Sequence, residues 1–238
     1  MVKLYSKKAN PNMRRPIVKE EIVDYLRTQQ KPNTGCLADL EQFAQQENIP
    51  IIQPEVAAYF RFYLQMTAPQ KILEIGTAIG YSALLMAANV PEAKITSIER
   101  HAEMFALAQK NVAAYDLKEQ ITLIKGDAAE VLPVLEEEFD FVFMDSAKSK
   151  YIELLPAVFD RLEVGGAVII DDIFQGGDTL KPIEEIARGQ RAIHRGLQRL
   201  LAAVLRHPDL TVSLLPLSDG LLLIRKNTAK ICLPSGLD

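Results

Sequence analysis

Four residues near two apolar runs have the side chains that metal and proton chemistry require. "FDFVFMD" (139–145) ends in Asp145, and "GAVIID" (166–171) ends in Asp171, followed at once by Asp172. Neighbouring carboxylates repel one another, and each costs desolvation energy when removed from water. Three of them at adjoining strand ends would raise each other's pKa values unless a cation balances them. Oxygen donors of this kind suit Mg²⁺ or Ca²⁺, with waters and substrate oxygens completing the shell. Zinc would need a histidine or cysteine close by, and these runs have none. Lys148 lies three residues past Asp145 in "DSAKSKY". Beside a metal, a lysine ammonium is destabilised and can act as a base or as partner to an oxyanion. The plainer alternatives are that Asp145 and Asp172 cap the helices that follow and that Lys148 is a solvated loop residue.

A second group surrounds a glycine turn. "ILEIGTAIGYS" (72–82) reads as a strand, a turn and a helix start, with Gly76 and Gly80 enclosing Thr77, Ala78 and Ile79. A dinucleotide fingerprint would need a third glycine to admit a pyrophosphate. Glu74, just before the turn, would repel a diphosphate but attract a cation. S-adenosylmethionine (SAM) carries a sulfonium and an ammonium and no phosphate, so the loop favours SAM over NAD, with a plain tight turn as the alternative. Glu99 ends the next apolar run, "KITSIE", about 20 residues on, where a carboxylate can accept both ribose hydroxyls. Asp127 in "KGDAAEVLP" is placed either to meet an adenine amino group or to cap a helix, and one residue could do both.

The elements that must position these groups are legible as a pattern. Residues 17–30, 36–48 and 54–66 have apolar positions at helical spacing, and Pro54 suits a first helical turn. From residue 71, short β-rich runs alternate with helical stretches, the signature of a doubly wound parallel sheet. The run ending in Asp171 is followed by what reads as one long helix ending near Arg206. "LTVSLLPL" and "GLLLIRK" are joined by "SDG", a hairpin signal rather than a crossover. The expected organisation is an N-terminal helical segment at 1–68, part of the same domain, a core at 69–226 and a tail at 227–238.

Composition bounds the rest. The 238 residues suffice for one large α/β domain, and 48% apolar with 24% charged residues is ordinary for a globular protein. No apolar run reaches the ~18 residues of a membrane span. The basic N-terminus has no apolar segment behind it, so a cytoplasmic protein without a signal peptide is expected. Cys36 and Cys232, the two cysteines, fit neither a disulfide framework nor a zinc cluster.

"ILEIGTAIGYSALLMA", "GDAAEVLP", "FVFMDSAKSKY" and "VIIDDIFQGG", in this order, resemble the cation-dependent, SAM-dependent O-methyltransferases of the catechol and caffeoyl-CoA type. The resemblance covers roughly residues 50 to 226. It implies a Rossmann-like class I methyltransferase fold: a seven-stranded, mostly parallel sheet with an antiparallel C-terminal hairpin and extra N-terminal helices. Residues 31–52 and 207–226 carry a closer likeness to the bacterial tRNA 5-hydroxyuridine methyltransferases. By this resemblance Asp145, Asp171 and Asp172 bind Mg²⁺, and Lys148 with Asp145 carries the catalysis. Glu74, Gly76, Thr77, Gly80, Tyr81, Ser82, Glu99, Arg100, Asp127, Ala128 and Asp145 would surround SAM. The family commonly has asparagine where this chain has Asp172, which adds a negative charge at that position.

The acceptor is either tRNA or a small catechol-like phenol. 5-Hydroxyuracil and catechol both offer two vicinal oxygens, so metal chemistry alone does not choose. The net charge of −4 gives no global reason to bind nucleic acid. Locally, Arg188, Arg191, Arg195 and Arg199 form a stripe on one predicted helix, which Arg206 follows, and Lys7, Lys8, Arg14 and Arg15 form a basic arm. A solvated helix face is the plainer reading of the stripe. Phe174 and Tyr151 could stack on a base or fill the core. A homodimer through the N-terminal helices, with no membrane association, completes the expectation.

Overall fold

The computed structural model of the chain describes residues 18–116 and 119–234. The basic arm of Lys7, Lys8, Arg14 and Arg15 lies outside the described residues. β1 (Lys71–Ile75), β2 (Lys94–Glu99), β3 (Ile121–Lys125), β4 (Phe139–Met144) and β5 (Leu162–Ile170) run parallel; β6 (Leu210–Leu215) and β7 (Leu221–Lys226) form the antiparallel hairpin. The sheet order is β3-β2-β1-β4-β5-β7-β6. β7 thus adds to β5 in the opposite direction, with Ile170 opposite Leu222. The mostly parallel, seven-stranded expectation holds.

The central strands are nearly continuous apolar runs because both faces of the sheet are covered. Their two-residue period divides them between two cores. Ile72, Ile95, Phe141, Phe143 and Ile169 face α2 (Cys36–Glu47), α3 (Pro54–Thr67) and α4 (Tyr81–Asn89). Leu73, Ile75, Val142, Met144, Val168 and Ile170 face α7 (Tyr151–Arg161) and α8 (Arg191–Val204). On the first face, Phe60 of α3 meets Phe141 and Phe143 edge-on, with centroids 6.3 and 4.7 Å apart. α1 (Glu20–Gln29) is fastened to α3 by a bidentate pair, Arg27 donating to both Glu55 oxygens at 2.9 Å. No helix among the described residues is long and apolar enough to cross a membrane.

Two helical expectations are corrected. The stretch after β5 is not one long helix: Gly176 and Gly177 have φ of 64° and 88°, Pro182 follows, and only short 3-10 turns form before α8 begins at Arg191. A left-handed pair followed by proline cannot continue an α-helix. A full helix, α5 (Ala102–Tyr115), leads into β3, but the one that follows β3 is short. This α6 covers only Ala128–Val131 and gives way to a 3-10 turn containing Pro133.

Two local features hold the carboxyl edge of the sheet. Gly76, with φ +105°, brings its backbone so close to β4 that a Cβ there would overlap the Asp145 carbonyl oxygen. Beneath that turn Glu74 is fully buried and accepts hydrogen bonds from Ser82 Oγ and Ser97 Oγ, while Thr77 Oγ1 and Ser97 Oγ share another at 2.5 Å. Burial raises the Glu74 carboxyl from its ordinary 4.5 to about 7, against the pull of the two serines.

Gly76→Ala should therefore destabilise the fold by about 3 kcal/mol, lowering Tm by about 10 °C in a thermal melt. The Glu74 shift sets a pH dependence. The folded state retains a proton that the unfolded chain sheds above 4.5, so the stability it lends is lost as pH rises through about 7. Glu74→Gln should flatten the fall in urea midpoint measured between about pH 5 and about pH 8.

Candidate active site

A cavity of about 1010 Å³ opens beyond the carboxyl ends of β1 and β4, at the switch point of the strand order. Gly76, Thr77, Tyr81, Ser82, Glu99, Arg100, Asp127, Ala128 and Asp145 line it, as do Lys148, Asp171 and Asp172. Two of the predicted cofactor residues do not. Glu74 lies behind the wall because its carboxyl is consumed by Ser82 and Ser97. Gly80 is the N-cap of α4 with φ 87°, a backbone position beneath the surface.

At one end of the cavity Glu99 closes β2. Its Oε2 accepts from Ala78 N at 2.9 Å and its Oε1 from His101 N at 2.7 Å, which pins the glycine loop. Each carboxylate oxygen keeps acceptor capacity toward the cavity. Asp127 does cap α6, its Oδ1 accepting from Ala129 N at 3.0 Å, while Oδ2 lies 3.9 Å from Arg100 Nη1. The Tyr81 hydroxyl donates to Glu41 Oε1 at 2.5 Å and accepts from Asn33 Nδ2 at 2.8 Å. Arg61 Nη2 donates to Asn33 Oδ1 at 2.6 Å, so the N-terminal helices hold the start of α4.

At the other end the strand-end carboxylates meet. The sheet ladder continues past β4 and β5: Asp145 N donates to Ile75 O, and Asp171 N to Met144 O, both at 3.0 Å. Desolvation first, and then the charge of Asp172, raises Asp145 to about 7 against the pull of Lys148. Asp171 is buried and lies well above the ordinary carboxylate range, from desolvation and from the charges of Asp172 and Asp145. A divalent cation would relieve that strain, and Mg²⁺ needs only one or two protein carboxylates. Asp145 and Asp171 fit such an ion. Asp172 is differently engaged: its Oδ2 lies 2.6 Å from Lys148 Nζ. Among the described residues no group of three His, Cys, Asp or Glu side chains converges on one point.

Several contributors were not legible in the sequence. The loop Ile49–Gln53, between α2 and α3, forms part of the wall, and so does Ser218. Asp219 beside it is 1% exposed; its Oδ1 accepts from Gly176 N at 2.5 Å, and among the described residues its Oδ2 has no partner. Burial, with a contribution from Asp172, raises it to about 7. Its only sequence signal was a polar hairpin turn. Tyr151 takes the core role, fully buried with its hydroxyl accepting from Ser146 N at 3.1 Å. Phe174 packs on Gly220, where a Cβ would strike the ring.

The arginine stripe lies on α8 and its N-terminal approach. Arg188, Arg195, Arg199 and Arg206 are exposed, and among the described residues none pairs with a carboxylate; Arg191 turns back to Ile186 O at 3.0 Å. The flank of α8 beside the stripe rests on the Lys148–Lys150 turn: a Cβ on Gly196 would lie 2.8 Å from Ser149 Cα.

The chain is similar to known proteins in sequence and fold. The chain is 25% identical over 201 residues to caffeoyl-CoA O-methyltransferase 2 of Populus trichocarpa, covering 80% of this chain and 81% of that one. It is 29% identical over 134 residues to catechol O-methyltransferase of Niastella koreensis, covering 54% and 61%. The SAH-bound methyltransferase PaMTH1 of Podospora anserina superposes with a TM-score of 0.78 at 25% identity, over 89% of this chain and 97% of that one. The model of the family described as O-methyltransferase matches residues 27–227. With the class I sheet and a cavity at its switch point, that match makes this chain a member of the SAM-dependent O-methyltransferase family, of the caffeoyl-CoA and catechol type.

Proposed function

We propose that this enzyme methylates the 5-hydroxyl of 5-hydroxyuridine at the tRNA wobble position, with Mg²⁺ as the bound ion. The observation that favours RNA over a small phenol is the double role of α8. Its exposed side carries Arg195 and Arg199, and its packed side, through Gly196, bears on the turn that carries Lys148. A phosphate backbone held by those arginines would lie along the element that places the catalytic lysine.

The residues divide the work. Glu99 offers acceptors to ribose hydroxyls, and the 76–82 loop encloses the donor. Asp145 and Asp171 would hold the ion. When bound, Mg²⁺ supplies Lewis acidity that lowers the pKa of the acceptor hydroxyl, and SAM supplies the methyl group. Lys148 Nζ, an ammonium fixed by Asp172, stabilises the oxyanion left as the hydroxyl proton passes out to solvent. The Ile49–Ile52 wall excludes water. Holding acceptor oxygen and methyl carbon at attack distance supplies much of the rate.

A second reading, O-methylation of a small catechol-like phenol, has its own support in the relatives named for caffeoyl-CoA and catechol. Labelled SAM and Mg²⁺ with either undermodified tRNA or a catechol panel separates the two. Label should enter tRNA at the wobble uridine; efficient transfer to catechols with none to tRNA would overturn the proposal. EDTA should stop transfer and added Mg²⁺ restore it. Asp145→Ala should abolish transfer while calorimetry still detects SAM binding.

The arginine face gives an independent check. Arg195→Glu with Arg199→Glu should weaken tRNA binding and reduce the slope of log affinity against log salt by about 1 for each phosphate that is no longer neutralised. An unchanged slope would remove α8 from the RNA surface.

A further inference from the structure

Asp172 differs from the two carboxylates beside it in already having a cationic partner. Its Oδ2 stands 2.6 Å from Lys148 Nζ, and only 17% and 8% of the two side chains are exposed. Its backbone is left-handed, with φ +59°, and its N–H donates to Asp171 Oδ1 at 2.7 Å. That conformation sends the Asp172 carboxylate toward Lys148 while its backbone holds the Asp171 carboxylate in place.

The charges make sense of this division. Lys148 opposes the strand-end carboxylates; both Asp145 and Asp171 feel its charge. Left unpaired, its ammonium would repel a divalent ion in a desolvated site. Paired with Asp172, it is neutralised, and the two remaining carboxylates match the charge of the ion. A direct bond from Asp172 to the ion would instead draw its charge away from Lys148.

We infer that Asp172 is a positioning residue, the counter-ion that holds Lys148, and is not a metal ligand. The inference rests on the reading of Asp145 and Asp171 as the ligands of the ion.

A double-mutant cycle on the full chain tests it, with Mn²⁺ affinity read by electron paramagnetic resonance in the absence of SAM. Asp172→Asn should weaken Mn²⁺ binding about tenfold in the wild-type background, because Lys148 is left unpaired, and less than about twofold in the Lys148→Met background. Equal losses in both backgrounds would mean that Asp172 acts on the ion independently of Lys148 and would overturn the inference. A second measurement needs no metal. Acylation of Lys148 by a water-soluble anhydride, followed by peptide mass spectrometry, should accelerate about tenfold in Asp172→Asn once the ion pair is gone. An unchanged rate, in a variant whose thermal melt shows it folded, would also overturn it. Faster acylation in a chain whose wild type binds no Mn²⁺ would refute the cation reading and support the counter-ion role, so the two failures are distinguishable.

Discussion

At the end of β1 the backbone of Gly76 approaches the Asp145 carbonyl so closely that a single added carbon would overlap the oxygen. Both ends of the cavity depend on that contact. From it the Thr77–Ser82 loop turns toward β2 and Glu99, while Ser146–Lys148 turns toward β5 and Asp171. Glu74 supports the junction from below through two serines, one on β2 and one on α4. Strand order alone creates a crevice at a switch point. Here the absence of a side chain at Gly76 lets its two walls meet.

Charge is handled differently at each carboxylate along this edge. Glu74 is given hydroxyl donors, Glu99 two backbone amides, and Asp219 the amide of Gly176. Asp172 is given an ammonium. Asp171 is given one amide, that of Asp172, and desolvation with the charge of Asp172 holds both Asp145 and Asp171 above the ordinary carboxylate range. Two adjoining carboxylates so raised at the wall of a cavity suit an incoming cation. That supports the magnesium reading through the chemistry of the donor set.

α8 joins two problems that the sequence presents separately. Its arginines read as a stripe, and its apolar residues read as a core face, but the stripe acquires a place only through Gly196. Glycine there costs helix stability relative to alanine. The close approach to Ser149 explains why the position bears it: a side chain would push α8 off the turn that carries Lys148.

Much of this protein is determined by local pattern. The βα alternation, the five parallel strands, the hairpin at the end and the placing of Asp145, Glu99 and Asp171 at strand ends all follow from apolar runs punctuated by turn residues. Such runs can be read because burial on both faces of a parallel sheet demands them. The N-terminal helices follow from helical periodicity in the same way. What the tertiary structure decided is what depends on residues far apart in the chain. That Glu74 faces the serines rather than the cavity depends on which side of β1 the neighbouring β2 and α4 present. That Asp219 comes beside Asp172 depends on β7 inserting next to β5 in the opposite direction. That Lys148 pairs with Asp172, 24 residues away, depends on a left-handed backbone at Asp172 and on α8 pressing the lysine's turn against the sheet edge. Periodicity reports which face of an element is buried; the partner it meets there is set by the packing of the whole chain.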